Sequence, residues 1–207
     1  MRRCASRFTV HGSWFPAGVA LVCYAVALIW RVPLTASMSL HMLVQIPLLV
    51  LTGVCAEQAW RAWRDRARQA GVNGRPPAWS YNEYGIPGLL LVSLIGAYWM
   101  VPKVLDDALV DWRVAVFKML GLPLAGWILG ASLRRANTVI KLFFLGNFSW
   151  MLAIVGLIYQ DQPARLCNAY LWDDQAWTGM GLVAWSIVLP TVWLLARIGL
   201  VWRYLNR

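Results

Sequence analysis

Four residues in the first third of the chain have the chemistry and spacing of a ligand set. Met38, His41, Met42 and Gln45 fall at i, i+3, i+4 and i+7 within the stretch SMSLHMLVQIPLLVLTG, Ser37 to Gly53. A helix there places all four on one face. Imidazole and thioether are soft or borderline donors that suit Cu(I), and carboxylates tolerate Cu(II). Polar and soft groups are costly inside a bilayer, so a helix that carries them aims them at something. Met38, His41 and Met42, completed by Met100 or Cys167, form a candidate copper site. Methionines at helical spacing are also what a packed face looks like, and both readings stand at this point.

The elements that must position these residues are membrane spans. Of 207 residues, 60% are hydrophobic and only 14% charged, and mean hydropathy is +0.56; a soluble domain carries about 25% charged residues. Fourteen tryptophans fit the headgroup boundary that indoles favour. The expected class is all-α, a polytopic membrane protein of one domain over 1–207, with spans at 14–33, 37–56, 85–102, 113–132, 138–159 and 180–202. Each run is long enough for a helix to cross about 30 Å of hydrocarbon. The first could be taken for a signal peptide, but Leu34-Thr35-Ala36 is a poor cleavage site and the apolar run is long, so a retained helix is expected. Pro47 predicts a kink in the second run. A basic helix over 57–70, with Arg61, Arg64 and Arg68 on one face beside Trp60 and Trp63, continues that span along the membrane surface and ends at Gly71 and Pro76-Pro77.

Charge orients the spans. Fourteen of the nineteen basic residues fall in alternate loops: Arg2, Arg3 and Arg7; Arg61, Arg64, Arg66, Arg68 and Arg75; Arg134, Arg135 and Lys141; Arg197, Arg203 and Arg207. The positive-inside rule puts these in the cytoplasm, which gives six transmembrane helices with both termini cytoplasmic. Six of the nine acidic residues, Asp106, Asp107, Asp111, Asp161, Asp173 and Asp174, then face outward. Met38, His41, Met42, Met100, Cys167 and Asp174 gather at the same outer end. The net charge of +10 is accounted for by anionic lipid headgroups, so the expected partners are membrane lipids and not nucleic acid.

Other chemistries are poorly represented. Cys4, Cys23, Cys55 and Cys167 are far apart, with no CxxC, and only Cys167 lies in a long polar loop. Lys118 sits about 9 Å inside the fourth run, where it could snorkel outward or pair with Asp107 or Asp111. Asn147 and Ser149, near the middle of the fifth run, are candidates for hydrogen bonds between helices. There is no phosphate-binding glycine loop, HExxH or serine elbow, so the chain is not read as an enzyme, and no mid-membrane carboxylate pair supports a proton-driven transporter. A small-solute transporter is a weaker reading, because no inverted repeat is visible.

Two stretches resemble the CtaG-type cytochrome c oxidase assembly factors. His41-Met42-Leu43-Val44-Gln45 followed by Ile46-Pro47-Leu48-Leu49 is similar to that family's His-Met, Gln-His and Pro-Leu-Leu segment. Asp174-Gln175, then Gly179 and Trp185, is similar to its segment at the last outer loop. The resemblance implies a multi-pass protein of the bacterial inner membrane that assists assembly or copper supply of a respiratory haem-copper oxidase or related copper enzyme. It implies His41 and Met42 as copper ligands and Asp174 as a ligand or structural position. This chain has Ile46 where the family has a second histidine, which opens the alternative of a non-metal accessory or scaffold subunit of a larger membrane complex.

Overall fold

The computed structural model describes residues 14–69 and 82–205, and these are helical almost throughout. The helices are α1 (Trp14–Ile29), the short α2 (Arg31–Leu34), α3 (Met38–Leu40), α4 (Ile46–Gln69), α5 (Ile86–Trp99), α6 (Pro102–Val110), α7 (Trp112–Arg135), α8 (Thr138–Asp161) and α9 (Trp172–Leu205). Four helical runs are long and apolar enough to cross a membrane: Met38–Gln69, Trp112–Arg135, Thr138–Asp161 and Asp173–Ile198. The pair α5 and α6 makes a fifth if its two halves count as one span, and α1 is a shorter apolar helix. Arg2, Arg3, Arg7, Cys4, Gly71, Arg75, Pro76, Pro77 and Arg207 lie outside the described residues.

Three expected boundaries move, each for a local reason. The run expected at 14–33 stops being one helix at Ile29, where Pro33 has no N–H for the Ile29 carbonyl and its ring crowds that oxygen. The run expected at 85–102 ends at Trp99. Pro102 disfavours the helical conformation at the residue before it, and Val101 is extended (φ −77°, ψ 122°). The chain then turns by 75° into α6. Alone, α5 has 14 residues and spans about 21 Å at 1.5 Å per residue. The run expected at 180–202 begins earlier, at Trp172, with Asp173 and Asp174 in its first turn, where carboxylates complement the exposed N–H groups.

Pro47 acts differently. Its missing N–H is absorbed by one π turn, His41–Gln45, in which the Ile46 N–H reaches the His41 carbonyl five residues back. Helix continues beyond it through Arg61, Arg64 and Arg68 to Gln69, so the basic segment extends a span without a break. Wide turns of this kind recur at functional sites because they re-aim side chains on a helix face.

Glycines set the closest crossings. A Cβ on Gly53 would strike the Pro123 carbonyl oxygen, and one on Gly126 the Val50 carbonyl oxygen, so α4 and α7 meet backbone to backbone. Gly156 and Gly179 do the same for α8 and α9, each Cβ position lying 2.6 Å from the other's carbonyl oxygen. Apolar surface gives helices little reason to associate in lipid, so close van der Waals contact through small residues does that work. At the basic end, Glu57 is buried and ion-paired with Arg134, tying α4 to α7. Nearby, Gly85 adopts φ +77° directly against the Ser132 carbonyl, a conformation open to glycine.

Candidate functional site

Met38, His41, Met42 and Gln45 are all buried, with His41 and Gln45 at 0% exposure. The π turn puts the His41 ring and the Gln45 amide side by side, and α7 brings Lys118 against both. Lys118 is 2% exposed. Its Nζ donates to Gln45 Oε1 at 2.8 Å and lies 2.7 Å from His41 Nε2. As an ammonium Lys118 can only donate; in that state Nε2 accepts and the ring proton lies on Nδ1. That nitrogen is 2.6 Å from the Tyr170 hydroxyl, which the loop after α8 folds in over it. Gln45 Nε2 donates in turn to the Ala27 carbonyl of α1 at 3.4 Å. The result is a continuous buried chain, Tyr170–His41–Lys118–Gln45–Ala27, joining the loop before α9, the π turn, α7 and α1. Low surrounding polarity strengthens each of these bonds and raises the cost of breaking one.

Lys118 therefore neither snorkels nor pairs with Asp107 or Asp111. Asp107 meets the exposed Lys103, and Asp111 caps α7 by accepting from the Arg113 N–H at 2.8 Å. Among the described residues, Lys118 lies within ion-pair distance of no carboxylate.

Asp174 binds backbone. Its carboxylate takes the Met38 N–H in a short contact and the Ser39 N–H at 3.4 Å, and accepts from Ser39 Oγ at 2.8 Å. Thr178, fully buried, lies 3.0 Å from the same hydroxyl and donates to the Asp174 carbonyl. This is an N-cap supplied by another helix: the first turn of the Met38–Gln69 run receives a carboxylate from the first turn of α9.

The sulfur-bearing candidates do come together. Met38, Met42, Met100 and Cys167 belong to one buried cluster with Tyr159, Tyr170 and Leu182. Cys167, 2% exposed, points its thiol at the Pro102 carbonyl at 3.5 Å. Burial, aided by the nearby Asp106 charge, pushes this thiol up to about 12, which keeps it protonated. Burial likewise raises the Tyr170 phenol. Asp106 holds the loop in place by accepting from the Asn168 N–H at 2.7 Å, and Gln175 accepts from the Leu166 N–H at 2.9 Å. Met42 and Met100 also line an apolar cavity of about 370 Å³ with Pro47, Trp99 and Leu122. Among the described residues, no three of His, Cys, Asp and Glu converge; the convergence is of thioethers.

Copper on His41 would have to displace either Lys118 from Nε2 or Tyr170 from Nδ1. Asp174 is already engaged by three donors, and Cys167 is a neutral thiol. As arranged, these residues do not present an open set of ligands, and only the three thioethers are uncommitted to hydrogen bonds.

Spacing alone identifies the inward face of Met38, His41, Met42 and Gln45. It does not identify Tyr170, which has no motif around it, or Thr178 and Glu57. Lys118 is visible as a lone cation in an apolar run, and the signal for its partners was the two buried acceptors on the other helix. Asn147 and Ser149 differ from expectation. Asn147 faces outward, while Ser149 is buried with its hydroxyl unpartnered among the described residues.

No family model, curated protein or solved structure matches the chain.

Proposed function

We propose that this chain is a non-enzymatic accessory or assembly protein of a bacterial inner membrane, serving a larger respiratory-type membrane complex without a metal on His41. The observation that carries this reading is Lys118 Nζ at 2.7 Å from His41 Nε2. A lysine ammonium fills the place on the imidazole that a metal ion would take and bridges it to Gln45. The site then works as a structural tie, holding the first spans to α7 and to the loop that ends in Tyr170. The resemblance to oxidase assembly factors supplies the class of complex, a haem-copper oxidase or related copper enzyme. The charge distribution supplies six spans with both termini in the cytoplasm.

Copper supply is the second reading, favoured by the gathering of Met38, Met42, Met100 and Cys167 in one cluster. Three thioethers and a thiol suit Cu(I) without any contribution from His41.

One titration separates the two. Purified wild type, His41→Ala, Lys118→Ala and Met42→Leu are titrated with Cu(I) against a colorimetric competitor in detergent. The accessory reading expects no binding above the detergent blank for wild type, with affinity gained, if anywhere, in Lys118→Ala. Near-stoichiometric binding by wild type overturns it; loss of that binding in Met42→Leu selects the thioether site, and loss in His41→Ala selects the imidazole. The serving role is tested in cells lacking the protein, by haem and copper spectra of their membranes. Unchanged oxidase content and activity would sink it.

A further inference from the structure

The outward face of α8 carries two polar groups where lipid should see none. α8 runs from Thr138 to Asp161, and Asn147 lies about 4 Å from its midpoint at 1.5 Å per residue. Its side chain is exposed and takes part in no hydrogen bond among the described residues. One turn on, at the midpoint, Trp150 is 68% exposed, although an indole N–H favours the headgroup boundary or a buried acceptor. Polar groups left in hydrocarbon are costly, and membrane helices satisfy them by bonding to one another.

The rest of this face has the form of a helix–helix seam. Phe143, Asn147, Trp150, Ile154 and Leu157 recur at spacings of four, three, four and three, the 3.5-residue period of a left-handed pair with an Asn at one core position. Phe143 is 68% exposed and Leu157 57%. Beside Asn147, a Cβ on Gly146 would meet nothing within 4 Å, so a second helix can approach closely there.

We propose that this face is a homodimer interface, in which α8 pairs with α8 of a second copy about a two-fold axis normal to the membrane. Two copies inserted in the same orientation hold Asn147 at the same depth, so α8 and its counterpart run parallel and each residue faces its own equivalent across the axis. A carboxamide carries both donor and acceptor and is its own complement. The indole of Trp150, donor only, then lies within one turn of the partner's amide oxygen. A helix of another sequence would have to bring its own matching donor and acceptor to this depth; a second copy brings both by symmetry.

The experiment is single-molecule photobleaching of fluorophore-tagged full-length protein in liposomes across a range of protein-to-lipid ratios. Wild type should follow a monomer–dimer isotherm. Asn147→Leu should weaken the association constant about three- to thirtyfold, as loss of an interhelical bond of about 0.6–2 kcal/mol requires. Asn147→Gln should retain most of it, and Leu94→Ala, on the exposed face of α5, should change nothing. Asn147→Leu puts an apolar group on a lipid-facing surface, so the monomer fold is kept. Wild type that stays monomeric at every ratio overturns the proposal, as does unchanged dimerisation in Asn147→Leu. Either outcome leaves the copper titration unaffected.

Discussion

His41 on the π turn and Lys118 on α7 are 77 residues apart in the chain and 2.7 Å apart in the fold, nitrogen to nitrogen. This contact ties the first helices to the centre of the bundle. It turns a histidine with two candidate ligand nitrogens into one whose nitrogens are both engaged.

Lys118→Met should destabilise the protein by about 1–3 kcal/mol, because it leaves His41 Nε2 and Gln45 Oε1 buried without a donor. Detergent thermal unfolding of the single variant, of Gln45→Leu and of the double variant forms a cycle. The double variant should lose less than the sum of the singles, since removing both partners leaves fewer orphaned groups. Strict additivity would show that the Lys118–Gln45 bond contributes nothing.

Asp174→Asn should cost about 1 kcal/mol, the usual scale for a charged cap at a helix start. The amide keeps one acceptor for the Met38 or Ser39 N–H but loses the charge. Asp173→Asn, exposed one residue earlier, shares the favourable place at the start of α9 but accepts from neither Met38 nor Ser39, so it is the control and should cost clearly less. Equal losses in the two variants, measured by the same melts, would remove the cap from the account.

Cys167 should resist alkylation at pH 8 in the folded protein and react once the protein is opened in dodecyl sulfate. With the thiol held at about 12, roughly one molecule in ten thousand carries the thiolate at that pH. Its linkage to stability has a definite sign. A cysteine whose folded value is raised from 9.0 to about 12 favours the neutral form in the folded state. The associated stability is complete below pH 9 and is lost as pH rises through 9 toward 12. Cys167→Ser should flatten that alkaline decline in Tm; an unchanged slope would assign the decline to other groups.

Gly126→Ala should be the most damaging of these changes, at about 2 kcal/mol or more. The added methyl meets the Val50 carbonyl oxygen on α4, and backbone cannot step aside as a flexible side chain would. Gly18→Ala, with nothing within 4 Å of the added Cβ and a better helix former inside α1, should melt no lower than wild type. A Gly126→Ala protein that melts with wild type would mean that α4 and α7 do not cross this closely.

Much of the fold can be read along the chain because its causes are local. Apolar runs become helices, since a backbone in hydrocarbon must satisfy its own N–H and carbonyl groups. Pro33 and Pro102 act on carbonyls or residues a few positions away, and the spacing of Met38, His41, Met42 and Gln45 marks one face wherever the helix lies. The shift in the start of α9 is equally local in hindsight, because Asp173 and Asp174 are what a helix N-terminus attracts. What periodicity cannot supply is rotation of one helix against another. The approach of α4 to α7 depends on Gly53 meeting Pro123 and Gly126 meeting Val50, and that crossing decides that Lys118 turns to His41 and Gln45 and away from the carboxylates near its own helix start. The same packing holds the loop of Cys167 and Tyr170 over the site through Asp106 and Gln175. By itself the sequence determined the shared inward face of Met38, His41, Met42 and Gln45, and that this face, Met100 and Cys167 stand at one end of the bundle. Only the tertiary structure decided that the imidazole faces a lysine, because a hydrogen bond across 77 residues is set by how whole helices pack and not by the order of side chains along either one.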